Sequence, residues 1–275
     1  MRARLLTLAL LLAASSASAH EGLKAEIQAL DAQIAASPGA APLLVERARL
    51  RRLDGDPAGG LVDLAAAGAL APTLRIVSLE RGLTELALGK VASAEANLSR
   101  FLASGAPSVA ALTARAQIRE ASTRFGLARA DYDAAIKLQA DPDLYLARGR
   151  MDEALGQLDR AAVGYEEGLR ALDGAVSIRL ALIRVELARK RYDRAIAWID
   201  GVLAASPLQA DWLLRRAEAH AAAGRPRLAT ADREKALAEL DATLARRPSE
   251  SARVSRARAL HARGRDAEAS PRPRP

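Results

Sequence analysis

Apolar residues fall on helical stripes along most of this chain. Between Glu21 and Ala36, Leu23, Ile27, Leu30 and Ile34 alternate steps of four and three residues, the interval that lines one face of an α-helix, and Ser37-Pro38 closes the segment. Beyond it the pattern itself repeats. When the chain is cut every 34 residues, six pieces align, starting at Ala41, Arg75, Val109, Pro142, Val176 and Ala210, with steps of 34, 34, 33, 34 and 34. The eighth place is small in five of them, as Ala48, Gly82, Ala116, Gly149 and Ala217. The twentieth is always small, as Gly60, Ala94, Ala128, Ala161, Ala195 and Ala229. Glycine recurs at the fifteenth (Gly55, Gly89, Gly156, Gly224), and a large residue holds the twenty-fourth in Leu64, Leu98, Tyr132, Tyr165 and Ile199. Pro72 and Pro207 sit at the thirty-second.

Each preference has a mechanical reason in a helix, turn, helix unit. Small residues at the eighth and twentieth places let the two helices approach, and the bulky twenty-fourth fills the space beside them. Glycine at the fifteenth ends the first helix in a backbone conformation that other residues resist. Proline stops the second helix. One such pair cannot cover its own apolar face, so neighbouring units must stack to make a core.

The 34-residue period and its small positions resemble the tetratricopeptide repeat, most closely at Ala130-Asp131-Tyr132-Asp133-Ala134-Ala135-Ile136 and at Asp211-Trp212-Leu213-Leu214-Arg215-Arg216-Ala217. Ile183 at an eighth place, Phe101 at a twenty-seventh and Arg233 at a twenty-fourth depart from it. The resemblance implies an all-α fold, a right-handed superhelical solenoid of antiparallel helix pairs. Six repeats are expected over 41–74, 75–108, 109–141, 142–175, 176–209 and 210–243, between a capping helix over 20–40 and another over 244–269. Arg246-Arg247-Pro248 should end a long last second helix, and Ser249 or Ser251 should cap the helix that follows. The segment 270–275, Ser-Pro-Arg-Pro-Arg-Pro, reads as a disordered tail.

The resemblance also implies a binding surface, a concave groove lined by the first helices at their second, fifth, ninth and twelfth places. The residues expected there are Arg49, Arg52, Leu79, Leu83, Gln117, Glu120, Leu146, Arg150, Arg184 and Glu218, joined by Leu86, Thr113, Glu153, Leu180, Leu187 and Leu214. Leucines edged by Arg and Glu suit an amphipathic helix or an extended peptide of another protein. The lysine and asparagine clamp with which some relatives hold a terminal carboxylate has no match at these places.

Composition narrows the chemistry. Hydrophobic residues make up 50% of the 275 and aromatics 3%, so the core must be built of Ala, Leu, Val and Ile, which suits close-packed helices better than sheets. With no cysteine, disulfides, thiolate metal sites and cysteine nucleophiles are excluded. His20, His220 and His261 are the only histidines, and neither His220 nor His261 has a metal-ligating partner one helical turn away. Glu166-Glu167 and Asp152-Glu153 are adjacent on helices and point apart, so they do not converge as an acid and base must. No nucleophile elbow, phosphate loop or zinc-protease motif occurs. The expectation is a binding protein that is not an enzyme, with no cofactor, no metal and no catalytic residue.

Met1-Arg2-Ala3-Arg4, an apolar run from Leu5 to Ala14 and Ser15-Ser16-Ala17-Ser18-Ala19 make the three parts of a secretory signal peptide over 1–19, with cleavage expected after Ala19. That places the mature chain in the periplasm or outside the cell, as a scaffold of the bacterial cell envelope, and no later apolar run is long enough to span a bilayer. The net charge is +8, and nine arginines against three acids between 246 and 275 concentrate the positive charge at one end. Nucleic acid is not the expected partner, since no stacking aromatics accompany those arginines. An anionic envelope polymer or lipid headgroups form the second candidate partner class. Arginine outnumbers lysine 36 to five, so part of this bias is compositional.

Overall fold

The computed structural model describes residues 20–105, 107–173, 175–205 and 209–269. The expected signal peptide, Pro207 and the tail over 270–275 lie outside the described residues. Within them there are fourteen helices and no strand. Helix α1 covers 20–36. It is followed by α2 (Ala41–Leu53), α3 (Pro57–Leu70), α4 (Ile76–Ala87), α5 (Val91–Ala103), α6 (Val109–Ala121) and α7 (Phe125–Leu138). Then come α8 (Pro142–Ala154), α9 (Leu158–Ala171), α10 (Val176–Ala188), α11 (Tyr192–Ala205), α12 (Ala210–Ala222), α13 (Pro226–Arg246) and α14 (Glu250–Ala269). The chain divides after Gln139 into two compact units.

In the first unit α2 pairs with α3, α4 with α5 and α6 with α7, while α2 also touches α4 and α4 touches α6. The first helices of successive hairpins therefore form one layer. The second unit repeats the scheme with α8 and α9, α10 and α11, α12 and α13, and α8 touches α10. Helix α13 is 21 residues long, so residues 244–246 belong to it, and α14 packs against it.

The turns explain why hairpins form here. The fifteenth residue of every unit has positive φ, at Gly55 (92°), Gly89 (70°), Gly156 (72°) and Gly224 (72°) and also at Thr123 (57°) and Lys190 (58°). A left-handed residue there reverses the chain at once. Asp56 and Ser108 then cap α3 and α6 by accepting from the amides of Gly59 and Ala111, and Ser249 caps α14 through Ala252.

Packing shows what the small places are for. A methyl group on Gly60 would lie 2.9 Å from the Ala48 carbonyl oxygen, and one on Gly149 would lie 2.2 Å from the Tyr165 ring. Leu64, Leu98, Tyr165 and Ile199 at the twenty-fourth place are fully buried. The departures from the repeat are buried as well. Ile183 packs beside Ala195 and Ile199, Phe101 joins the cluster of Leu79 and Leu98, and Arg233 is 5% exposed.

Candidate functional site

The first helices carry two kinds of residue on their non-core faces, and the structure separates them. The ninth place is open to solvent at Arg49, Gln117, Arg150, Arg184 and Glu218, and half-buried at Leu83. The fifth place is not equally available. Leu79 was expected to line the groove, but it is 7% exposed and packs with Leu98, Phe101, Ala111 and Ile118, so it belongs to the core. Its side chain points along the stack toward the next hairpin. Leu146, Leu180 and Leu214, the same place in the second unit, are half-buried.

Within the second unit a cleft of about 420 Å³ is floored by Leu180, Ile183 and Leu187 and edged by Arg184, Arg215 and Glu218. A second cleft, of about 670 Å³, lies against α14, between Leu214, Arg215 and Glu218 on one side and Val254, Arg258 and Ala262 on the other. Apolar floors with charged rims, in this size range, suit side chains of a bound segment.

Several of these charges already have partners within the chain. Arg184, one of the residues expected to line the groove, lies on α10, and both of its terminal nitrogens reach the Glu153 carboxylate of α8, one at 2.9 Å. Glu153 also accepts from the Tyr165 hydroxyl at 2.6 Å. That bond and burial push the Tyr165 phenol far above its usual range, burial being the larger cause. Glu120 accepts from Tyr132 at 2.8 Å in the same way, twelve residues apart in both cases. In the first unit Arg52 donates to Glu80 of α4 at 3.1 Å. The two arginine pairs tie neighbouring first helices together, and the two tyrosine bonds join a first helix to the second helix of its own hairpin.

A second network was missed in the sequence. Asp63, Asp131 and Asp232, at the twenty-third place, are buried, and each receives a two-pronged guanidinium from the seventh place of its own hairpin. Arg47 donates to Asp63 at 2.9 and 2.5 Å, Arg115 to Asp131 at 3.0 and 2.7 Å, and Arg216 to Asp232 at 2.8 and 2.7 Å. The third nitrogen of each arginine reaches back to the preceding second helix, at Asp31, Ser99 and Asp200. One arginine thus ties the second helix of its own hairpin to the helix two places before it in the chain. The signal was an arginine followed sixteen residues later by aspartate, recurring in the 34-residue frame. A second cation, at the eleventh place, stands beside two of the same carboxylates: Arg51 at 3.0 Å from Asp63 and Arg119 at 2.8 Å from Asp131.

The remaining candidates for chemistry do not assemble. Glu166 and Glu167 face different cations, Arg194 and Arg148. Asp152 is 1% exposed, with Arg160 at 3.6 Å. The Nδ1 atom of His20 contacts the Asp54 carboxylate. Among the described residues no three His, Cys, Asp or Glu side chains are grouped to hold a metal ion, and no helix is long and apolar enough to cross a membrane.

No protein-family model and no curated protein matches the chain. Solved structures do. A tetratricopeptide repeat protein from Parabacteroides merdae is 16% identical over 86% of this chain and 92% of its own, with a TM-score of 0.50. The C-terminal part of a repeat protein from Cytophaga hutchinsonii is 19% identical over 72% and 79%, with a TM-score of 0.59. Pseudomonas aeruginosa pilF is 14% identical over 78% and 94%, with a TM-score of 0.50. The fold is that of tetratricopeptide repeat proteins.

Proposed function

We propose that the chain is an exported scaffold of the bacterial cell envelope that holds a peptide or helix of another protein against its first helices, and that it has no catalytic activity. The observation that carries this reading is the wall of the second unit, where half-buried Leu180, Leu187 and Leu214 lie between Arg184, Arg215 and Glu218 on neighbouring first helices. Apolar surface left partly open and edged by both charges is what an amphipathic segment needs. The export part of the proposal is supported by the composition of residues 1–19, and amino-terminal sequencing of exported material should begin at His20.

The binding test compares two double variants in a native-envelope crosslinking experiment. Arg150→Glu with Arg184→Glu places two negative charges on the groove wall. Arg170→Glu with Arg194→Glu does the same on the second helices α9 and α11. Each double change also breaks existing ion pairs, Arg184 with Glu153 in the first and Arg194 with Glu166 and the buried Glu186 in the second, so helicity is measured for both. Like charges introduced into a desolvated contact cost several kcal/mol, and on an exposed rim little. Loss of the crosslinked partner in the first variant alone supports the groove; equal capture by both, with helicity intact, moves the interaction elsewhere.

A second reading has its own observation. Arg246, Arg247, Arg253 and Arg258 are exposed and form no ion pair among the described residues, in contrast to most arginines of the two units. Such a cluster suits an anionic envelope polymer or lipid headgroups. Salt-sensitive retention on an anionic polymer that disappears when residues 246–275 are removed is the expected result.

A further inference from the structure

The three buried aspartates of the second helices, Asp63 of α3, Asp131 of α7 and Asp232 of α13, allow a comparison inside one molecule. Asp63, Asp131 and Asp232 each receive the same arginine fork, and in the first and third hairpins the eleventh place adds a permanent cation, Arg51 or Arg119. In the last hairpin that place is His220, whose Nε2 lies 3.9 Å from the Asp232 carboxylate. The same structural position therefore holds a group that can gain and lose its charge.

His220 is poorly prepared for the charged form. An imidazolium carries two N–H donors and needs two acceptors. The Nδ1 atom is buried without a hydrogen-bond partner, and the residue is 9% exposed. At 3.9 Å, Asp232 is beyond hydrogen-bond distance, and both of its oxygens already accept from Arg216. The charged groups around the ring are mixed: Asp232 of α13, Asp193 and Asp200 of α11, Arg216 of α12, and Arg225 in the turn after α12, which pairs with Asp193 at 2.6 Å. Burial pushes the imidazole below its usual value; Asp232 opposes that pull, and Arg216 and Arg225 add to it.

We propose that His220 makes the α12–α13–α14 end of the second unit a proton-responsive element, closed at neutral pH and loosened by mild acid. The folded end binds a proton less readily than the unfolded chain does. Its stability is complete above the ordinary histidine value of about 6.5 and declines as the pH falls from there toward the depressed folded value. The opposite sign would follow if Asp232 outweighed burial. Helix α12 also carries Leu214 and Glu218. On the groove reading proposed above, the last rung of the groove would loosen with it, but the device itself needs no partner to be observed.

Hydrogen exchange on the full chain between pH 7.5 and 5.5, corrected for the intrinsic pH dependence of exchange, reads this directly. Amides of α12, α13 and α14 should open more often as pH falls, by at most about tenfold per pH unit for one proton. Those of α2 and α3, where Arg51 stands in the same place, should show no such rise. His220→Gln should abolish the rise, and His220→Arg, which restores the arrangement of the other two hairpins, should do so as well. If both variants fold poorly, the titration of the His220 ring in the unaltered chain decides, by nuclear magnetic resonance, with a midpoint below the ordinary value expected. A midpoint at or above that value, or a rise that persists in His220→Gln, overturns the proposal. Because the measurement involves no ligand, its failure leaves the groove reading standing, and failure of the groove variants leaves this one standing.

Discussion

Two hairpins turn on residues that ought to resist the turn, and this gives a clean test of how the repeat is built. Thr123 and Lys190 occupy the left-handed conformation that glycine takes in the other four units. For an L-residue that conformation costs about 1–2 kcal/mol, with Thr at the upper end because it is β-branched. Glycine avoids the cost but forfeits about 0.5–1 kcal/mol through the greater freedom of its unfolded chain. Both side chains are exposed, so removing them sacrifices little packing. Thr123→Gly and Lys190→Gly should each stabilise the protein by about 0.5–1 kcal/mol, and together by about the sum because they lie in separate hairpins. The reverse exchange is equally clean, since a methyl group added at Gly89 would meet nothing within 4 Å and Gly89→Thr therefore isolates the backbone cost. Stacked repeats need not unfold in one step, so urea midpoints should be read together with hydrogen exchange in the two helices flanking each turn. A midpoint that falls in Thr123→Gly, or rises in Gly89→Thr, would refute the account of the turns.

Three further outcomes follow from the packing and the ion network. Leucine in place of Ala128 or Ala195, both fully buried, should overpack its hairpin by about 1–3 kcal/mol, measured by chemical denaturation. Gly149→Ala should cost a similar amount, because the new methyl group would lie 2.2 Å from the Tyr165 ring, and a second change, Tyr165→Leu, should recover most of the loss in a double-variant cycle. Asp131→Ala removes the carboxylate shared by Arg115 and Arg119, whose side chains are 16% and 15% exposed, and should destabilise by about 2–3 kcal/mol with the loss spreading to α5 through Ser99 and Glu95.

What could be seen in the sequence was what acts through size. The small eighth and twentieth places and the large twenty-fourth are imposed by close approach of two helices, so all units repeat them apart from Ile183 at one eighth place and Arg233 at one twenty-fourth, and the 34-residue frame stands out. The ion network was hidden because arginine and aspartate are common on any helical surface. Only the pairing of the seventh with the twenty-third place, across a turn, distinguishes Arg115 from its solvated neighbours. The partnership of Arg184 with Glu153 was hidden for a different reason. It joins residues 31 apart on successive first helices, and which long side chain reaches which is settled by the spacing of those helices. Leu79 was misplaced because the fifth place lies at the boundary between groove and stack, and near Phe101 and Ile118 it falls on the stack side.

The repeat consequently divides its first helix among three duties. The eighth place is reserved for close approach, the seventh and, in two hairpins, the eleventh for holding the buried aspartate, and the twelfth, in Arg52, Glu120 and Glu153, for polar contacts to a neighbouring helix or to a tyrosine. The ninth place has no comparable structural duty running through the series. It is open in five of six units and reads Arg49, Leu83, Gln117, Arg150, Arg184 and Glu218. A solvent-facing place on a rigid helix, one that close approach of the helices does not constrain, is where a repeat protein can alter its surface without altering how it folds. On the groove reading proposed above, the ninth-place residues of the second unit, Arg150, Arg184 and Glu218, are the ones whose exchange should change the bound segment, with Leu180 and Leu187 beside them.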